Sequence, residues 1–66
     1  MKTLKELREG QFLSQADLAQ KAGVGRDTIN RLENGKQKPT FRTIRKLASA
    51  LGIESSEIDF SASFEK

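Results

Sequence analysis

The stretch that decides the fold of this chain runs from Ser14 to Glu33 and reads SQADLAQKAGVGRDTINRLE. Its small and apolar residues recur at helical spacing in two groups, Leu18, Ala19 and Ala22, then Ile29 and Leu32. Gly23 lies between the groups, and a glycine adopts the positive φ of a sharp turn at no steric cost. Val24 follows Gly23 and is expected to pack as an apolar side chain beneath the turn. The stretch therefore predicts two short helices that touch through small residues and are joined by a tight turn.

Signals at the helix ends extend this prediction to four helices. Thr3 with Glu6, and Ser14 with Asp17, have the spacing of a capping box. The expected helices are Thr3–Glu9, Gln15–Ala22, Arg26–Glu33 behind Gly25, and a fourth from the cap Thr40 to about Leu51. The expected stop signals are Gly10, Gly23, Asn34-Gly35 and Gly52. Each helix is thus bounded by residues that favour its start or its end.

A single hydrophobic core follows from the apolar stripes of these helices. We expect it to contain Leu4, Leu7, Leu18, Ala19, Val24, Ile29, Leu32, Phe41, Ile44, Leu47, Ala48 and Leu51. Burial of each large side chain contributes roughly 1.5–3 kcal/mol. Phe12 and Leu13 are expected to pack as a staple across the first turn of the second helix.

Several of these residues carry a resemblance to a known family. They are Gln15, Leu18, Ala19, Gly23, Val24, Ile29, the Glu33-Asn34-Gly35 sequence and Pro39. From about Leu4 to Ile58 the chain resembles the Cro/CI-type, or XRE-like, helix-turn-helix family, which includes phage repressors, controller proteins of restriction-modification systems and antitoxins. The resemblance implies an all-α, compact four- to five-helix bundle of the lambda-repressor-like type. In a helix-turn-helix the second helix enters the major groove of DNA.

Composition excludes most other classes of function. The 66 residues are enough for one small domain, and they include no Cys and no His. Disulfides, thiol nucleophiles, imidazole bases and the common zinc sites are therefore excluded. The N-terminus has no signal-peptide pattern, and no segment approaches membrane-spanning length. We expect a cytoplasmic protein that is not an enzyme and has no cofactor, metal, small-molecule ligand or membrane partner.

Charge is distributed unevenly along the chain. Residues 1–53 contain 11 Lys or Arg against 5 Asp or Glu, whereas residues 54–66 contain one Lys against 4 acids. The basic excess is concentrated in Lys36, Lys38, Arg42, Arg45 and Lys46. Such a patch attracts a polyanion and adds a salt-dependent term to binding, although a solvated helix face is the simpler explanation of many charge runs. Directly after a helix-turn-helix, the patch favours DNA.

The C-terminal segment allows two interpretations. The family continues into a fifth helix with leucines, but Ser55 stands where one is expected. From Ile58 the apolar residues alternate instead, and they are Ile58, Phe60, Ala62 and Phe64. Alternation predicts a short strand, which pairs with a second subunit in one interpretation; in the other the tail folds loosely on the fourth helix. We therefore divide the chain into a DNA-binding domain over residues 1–58 and a tail over residues 59–66, a possible dimerisation element.

Residues on the outer face of the third helix are the predicted readers of DNA bases. Ile29 and Leu32 point inward, which leaves Arg26, Asp27, Asn30 and Arg31 outward and Thr28 at the flank. The resemblance implies that the first two helical positions, Arg26 and Asp27, are the main readers. Arginine binds guanine O6 and N7, aspartate accepts from cytosine N4, and asparagine pairs with adenine. Arg31 is predicted to reach a base or the backbone.

Phosphate contacts are predicted on both sides of these readers. Gln15 begins the second helix, whose backbone N–H groups favour an anion, and the resemblance implies that this glutamine bridges phosphate and the recognition helix. Lys36, Lys38 and Arg42 are placed for the other flank, whereas Arg45 and Lys46 lie further along the fourth helix.

Glu33 is predicted to have a structural partner. An acid in the last turn of a helix opposes the helix dipole, so a compensating cation is expected. The resemblance implies that the partner is Arg8. Such a pair positions a helix, and removal of one member leaves a costly lone charge.

These observations predict a sequence-specific DNA-binding transcriptional regulator of a bacterium or phage, a repressor or controller protein. Because one monomer offers few base contacts, we expect a homodimer on an inverted repeat of double-stranded DNA. The alternative is a protein-interaction module, such as an antitoxin subunit that binds a partner protein. The acidic tail with its alternating apolar residues favours that alternative.

Overall fold

A computed structural model describes residues 2–60 of the chain. In chain order the elements are β1 (Lys2–Thr3), α1 (Leu4–Gly10), α2 (Gln15–Ala22), α3 (Arg26–Glu33), α4 (Phe41–Leu51), a 3-10 turn (Ser55–Glu57) and β2 (Ile58–Asp59). The fold is all-α with a minor two-stranded addition, as predicted. A short 3-10 turn and a strand take the place of a fifth helix.

The predicted helix starts are confirmed. In α1 the hydroxyl of Thr3 accepts from the Glu6 backbone N–H at 3.2 Å, and the Glu6 carboxylate accepts from the Thr3 N–H at 3.0 Å. Ser14 and Asp17 form the equivalent capping box at the start of α2. Thr40 caps α4, whereas Gly25 begins α3 with no side-chain hydrogen bond. These local hydrogen bonds explain why the starts were readable from sequence.

All four helices end in the same backbone motif, and one of them does so without glycine. A left-handed residue follows each helix, and these residues are Phe12 (φ 60°), Gly23 (72°), Gly35 (69°) and Gly52 (71°). After α1 the Phe12 N–H donates to the Glu9 carbonyl at 3.0 Å and the Leu13 N–H to the Arg8 carbonyl at 3.1 Å, the two bonds of a Schellman motif. The prediction that Gly10 stops α1 is wrong, because Gly10 is helical and the chain turns two residues later at Phe12.

The C-terminal segment closes onto the N-terminus of the same chain. β1 and β2 pair in parallel, with Lys2 opposite Ile58 and Thr3 opposite Asp59. The described part of the predicted strand is β2, and within residues 2–60 it pairs with β1 of the same chain. Ile58 and Phe60 are buried, so this part of the chain is not a loose tail. Ala62 and Phe64 lie outside the described residues.

The core gathers side chains from every helix. Its buried apolar residues are Leu4, Leu18, Ala19, Ile29, Leu32, Leu47, Ala48, Ala50, Leu51, Ile58 and Phe60. The predicted Leu7, Val24 and Ile44 pack half-buried against them, as does Leu13. Ala50, Ile58 and Phe60 are members that the predicted core did not include.

Two aromatic predictions are wrong. Phe41 is 84% exposed, although it continues the apolar stripe of α4. The buried residues of α4 all lie between Leu47 and Leu51, so the first turn of the helix lies beyond the core. Phe12 is 95% exposed and does not form a staple, because its left-handed backbone directs only Leu13 towards the core. Within residues 2–60, no helix is both long and apolar enough to cross a membrane.

Candidate nucleic-acid interface

Helix α3 presents a polar face to solvent and an apolar face to the core. Ile29 is fully buried and Leu32 is 4% exposed. The side chains of Arg26, Asp27, Asn30 and Arg31 are exposed, and Thr28 is half-buried. Because the two apolar residues are one turn apart and locked in the core against α2, the rotation of α3 about its axis is determined. The outward direction of the predicted readers follows from that rotation.

Three of the predicted readers have no polar partner within the described part of the chain. Arg26, Asp27 and Arg31 make no side-chain hydrogen bond or ion pair among residues 2–60. Their donors and acceptors are therefore available to an external partner. The long, uncommitted side chains of Arg26 and Arg31 carry the positive charge of this face.

Asn30 differs from these three residues because it belongs to a hydrogen-bond chain. Its amide nitrogen lies 3.5 Å from Oε1 of Gln15, at the limit of hydrogen bonding. Asn34 Nδ2 donates to the Asn30 carbonyl at 2.9 Å and to Asn30 Oδ1 at 3.2 Å. The sequence analysis identified Asn34 only as a helix stop and missed this contact, although a spacing of four residues is the signal for such a pair on a helix.

An ion pair connects α1 to the end of α3. Arg8 Nε donates to Glu33 Oε2 at 2.6 Å and Arg8 Nη2 to Glu33 Oε1 at 3.1 Å, so the contact is bidentate. Arg8 Nη1 also donates to the Leu13 carbonyl at 2.7 Å. The side chains are 10% and 3% exposed. The hydrogen bond to Glu33 raises the pKa of Arg8 above its already high ordinary value, so Arg8 stays charged.

Gln15 joins this ion pair to the exposed face of α3. Its Nε2 donates to Glu33 Oε1 at 3.0 Å, while its Oε1 faces Asn30. Gln15 is half-buried and is the first residue of α2, directly after the cap Ser14. Because its Nε2 has two N–H groups and one is directed at Glu33, the other remains for an anion at the α2 N-terminus. The chain Arg8–Glu33–Gln15–Asn30 thus links α1, α2 and α3.

The predicted basic flank lies beyond the other end of α3. Lys36, Lys38 and Arg42 are exposed, and Pro39 between them is buried. None of the three cations forms an ion pair within residues 2–60. The buried proline anchors the connecting segment, so the cations stand on the surface between α3 and α4.

Comparison with known proteins identifies the family of the chain. The family model described as helix-turn-helix matches residues 4–58. The chain belongs to the helix-turn-helix family. This match spans nearly the same residues as the resemblance predicted from sequence, and it includes α1 to α4 and the first residue of β2.

Three relatives illustrate how widely the family is distributed. An uncharacterized HTH-type transcriptional regulator of Methanocaldococcus jannaschii is 40% identical over 55 residues, which are 83% of this chain and 83% of that protein. The cryptic phage CTXphi transcriptional repressor RstR of Vibrio cholerae is 34% identical over 83% of this chain and 50% of its own length. The immunity repressor protein of Bacillus phage phi105 is 34% identical over 83% of this chain and 38% of its own. The two repressors are thus longer proteins that contain a segment similar to this one.

Proposed function

We propose that this protein is a sequence-specific DNA-binding transcriptional regulator, a repressor or controller protein that inserts α3 into the major groove of an inverted-repeat operator. The observation that carries the proposal is the outer face of α3. There Arg26, Asp27 and Arg31 are exposed and unpaired within residues 2–60, on a helix whose opposite face is locked in the core. Family membership and the named repressor relatives support it.

The chemistry of these side chains suits base recognition. Arg26 offers a bidentate donor pair for guanine O6 and N7, and Asp27 an acceptor for cytosine N4. Asp27 also repels phosphate, which disfavours incorrect registers. Thr28, half-buried at the edge of the helix, and Arg31, nearer its end, extend the contact to neighbouring bases or to the backbone.

The Asn30 amide has two roles in this proposal. Its contact with Gln15 is long, at 3.5 Å, so little is lost when the amide turns towards an adenine edge in the groove. Gln15 keeps its stronger hydrogen bond to Glu33 and binds phosphate with its second N–H group. Docking on DNA thus changes two side-chain contacts of Asn30, one with Gln15 at 3.5 Å and one with Asn34 at 3.2 Å, and it leaves the buried ion pair intact.

Phosphate contacts on both flanks set the register of α3. Gln15 and the first backbone N–H groups of α2 bind the backbone on one side of the groove, because a helix N-terminus favours anions. Lys36, Lys38 and Arg42 bind it on the other side. Their exposure and lack of internal partners within residues 2–60 support this role.

A homodimer completes the proposal. Four or five reading side chains on one short helix distinguish few base pairs, whereas two copies on half-sites about 10 base pairs apart double the number. One edge of β2 already pairs with β1 of its own chain, so that edge does not serve the dimer. Light scattering of the protein with and without an operator duplex tests this part.

The alternative of a protein-interaction module has lost part of its support. It depended on exposed apolar residues in the C-terminal segment, and two of them, Ile58 and Phe60, are buried. Repeated selection of bound sequences from a random duplex pool tests the proposed function directly. An inverted repeat that is enriched by the protein supports the proposal. A pool that stays random, or duplex that is not retained even at low salt, contradicts it.

A further inference from the structure

A second basic surface lies beside the basic flank. Between α2 and α4 there is an open concavity of 570 Å³, which we call the basic groove. Four cations line it, Lys21 from α2 and Arg42, Arg45 and Lys46 from α4. Ala22 and Ala50, which are short and at least half-buried, lie among them. No carboxylate lines the basic groove within the described chain.

The cations of the basic groove have no polar partner within the described residues. None of the four side chains makes a hydrogen bond or ion pair among residues 2–60. Arg42 and Lys46 are one helical turn apart, a spacing at which like charges destabilise a helix by a few tenths of a kcal/mol. Uncompensated like charges gathered around one concavity are electrostatically unfavourable until an anion enters it. The basic groove therefore attracts an anion.

The shape of the basic groove indicates an extended anion. Arg42, Lys46 and Ser49 recur at intervals of four and three residues along one face of α4, and at 1.5 Å per residue this row is about 10 Å long. One strand of duplex DNA presents a phosphate about every 3.4 Å along the helix axis. A row of about 10 Å thus spans about three steps between successive phosphates along that axis. Arg42 is shared with the basic flank, so the two surfaces are continuous.

We propose that the basic groove binds the sugar–phosphate backbone of duplex DNA outside the base pairs that α3 reads. The inference rests on the proposed function and extends its footprint from the loop after α3 along α4 to the end of α2. Contacts of this kind carry no sequence information, but they add affinity and salt dependence. In this proposal Lys21, Arg45 and Lys46 contact phosphates. Arg26 and Asp27 remain the residues that read bases.

A pair of double variants tests this inference. Lys21→Ala/Lys46→Ala removes two cations from the basic groove, and Lys2→Ala/Lys5→Ala removes two exposed cations from β1 and α1, so both variants have the same net charge. Binding to a random-sequence duplex of about 30 base pairs, or three helical turns, is measured between about 0.05 and 0.2 M salt. Thermal melts followed by circular dichroism establish that both variants fold.

The expected result is a difference between the two variants. For Lys21→Ala/Lys46→Ala, loss of two phosphate contacts makes the negative slope of log K against log salt shallower by about 1.8. Lys2→Ala/Lys5→Ala keeps the wild-type slope. Equal slopes for both variants overturn the inference. If the slopes are equal and only the wild type binds a polyglutamate peptide, the basic groove is instead a site for an acidic protein segment. Failure of the wild type to bind any duplex overturns the proposed function itself and this inference with it.

Discussion

At the scale of single residues, the proposed function assigns two different kinds of DNA contact to Arg26 and Lys38. Arg26 is the first residue of α3 and Lys38 lies in the loop that follows the helix. Both are exposed cations, but in the proposed complex only Arg26 reads a base. Substitution of each by alanine therefore distinguishes recognition from simple charge attraction.

We predict that Arg26→Ala loses about 1–3 kcal/mol of binding free energy on the selected operator and little on random duplex. Lys38→Ala should weaken binding to all sequences and reduce the salt slope by about 1. Fluorescence anisotropy with both duplexes measures these effects. Equal losses on operator and random DNA for Arg26→Ala would refute its role as a reader.

Phe12 shows a cost that the backbone imposes on one side chain. It is 95% exposed and has the left-handed conformation that glycine supplies after the other three helices. A non-glycine residue in that conformation costs roughly 1–2 kcal/mol, because Cβ approaches the following carbonyl oxygen.

Phe12→Gly should therefore stabilise the fold by about 1 kcal/mol and raise Tm by roughly 4–8 °C. Phe12→Ala is the matched control, since it removes the same exposed ring but keeps the strained Cβ. Thermal melts of the three proteins measure the difference. A gain of equal size in both variants would show that the ring, not the backbone, is the source of the cost.

At the scale of elements, the ion pair between Arg8 and Glu33 positions α3 relative to α1. Glu33 is 3% exposed and accepts three hydrogen bonds, two from Arg8 and one from Gln15. Without Glu33, a nearly buried guanidinium and the amide of Gln15 lose their acceptor together. The pair therefore matters more for the placement of the recognition helix than its net contribution to stability suggests.

Glu33→Ala should destabilise the domain by about 3–5 kcal/mol, the range for a buried pair that loses one member. A domain of this size has a total stability of similar magnitude, so we expect loss of the cooperative transition in urea before any change in sequence preference. Glu9→Ala is the control, because Glu9 lies 4.0 Å from the same arginine but is 57% exposed. A cooperative transition unchanged by Glu33→Ala would contradict the structural role.

The starts of α1 and α2 depend on carboxylates whose protonation is linked to folding. The backbone hydrogen bond from Thr3 lowers the pKa of Glu6 below its ordinary 4.5, and that from Ser14 lowers the pKa of Asp17 below 3.8. A carboxylate whose pKa is lower in the folded state stabilises the fold above its unfolded pKa. This stabilisation is lost as the pH falls through the folded value.

We therefore predict that Glu6→Gln/Asp17→Asn is less stable than wild type at neutral pH and that the difference shrinks between about pH 5 and pH 2. Amides keep the shape of the caps but do not titrate. Urea midpoints at several pH values measure the convergence. A difference that is constant with pH would mean that the two charges are not linked to folding.

At the scale of the whole molecule, the two ends of the described chain close the fold. β1 and β2 pair in parallel, and Phe60 directly after β2 is 8% exposed. The side-chain Nε2 of Gln11 also donates to the Leu51 carbonyl at 2.7 Å. This hydrogen bond connects the segment after α1 to the end of α4. The four helices are therefore held together by contacts between distant parts of the sequence.

Phe60→Ala should cost about 3–5 kcal/mol, the usual range for truncation of a buried phenylalanine. Phe41→Ala removes the same ring from a position that is 84% exposed and should change stability by less than about 0.5 kcal/mol. Urea denaturation of the two variants provides the comparison. Similar midpoints would mean that burial of Phe60 contributes nothing to the free energy of unfolding.

Sequence alone determined the four helices, their caps, the turn at Gly23 and the direction of the α3 face. These features depend on capping hydrogen bonds and periodicity between residues a few positions apart, so the information is local. The candidate site was predictable only in part. The pairing of Arg8 with Glu33 was implied by the family resemblance. The Asn30–Asn34 contact was missed, and so was the concavity that Lys21 forms with the cations of α4.

Only the tertiary structure decided which phenylalanines are buried, where α1 ends and what β2 pairs with. Phe41 and Phe60 are chemically identical, and the first fits a helical stripe better than the second fits any element. Phe41 is exposed because the core ends before the first turn of α4, and Phe60 is buried because β2 returns to β1. These features could not be predicted because they depend on residues that are far apart in the sequence. Lys2 pairs with Ile58, for example, and the local sequence of neither segment specifies that pairing.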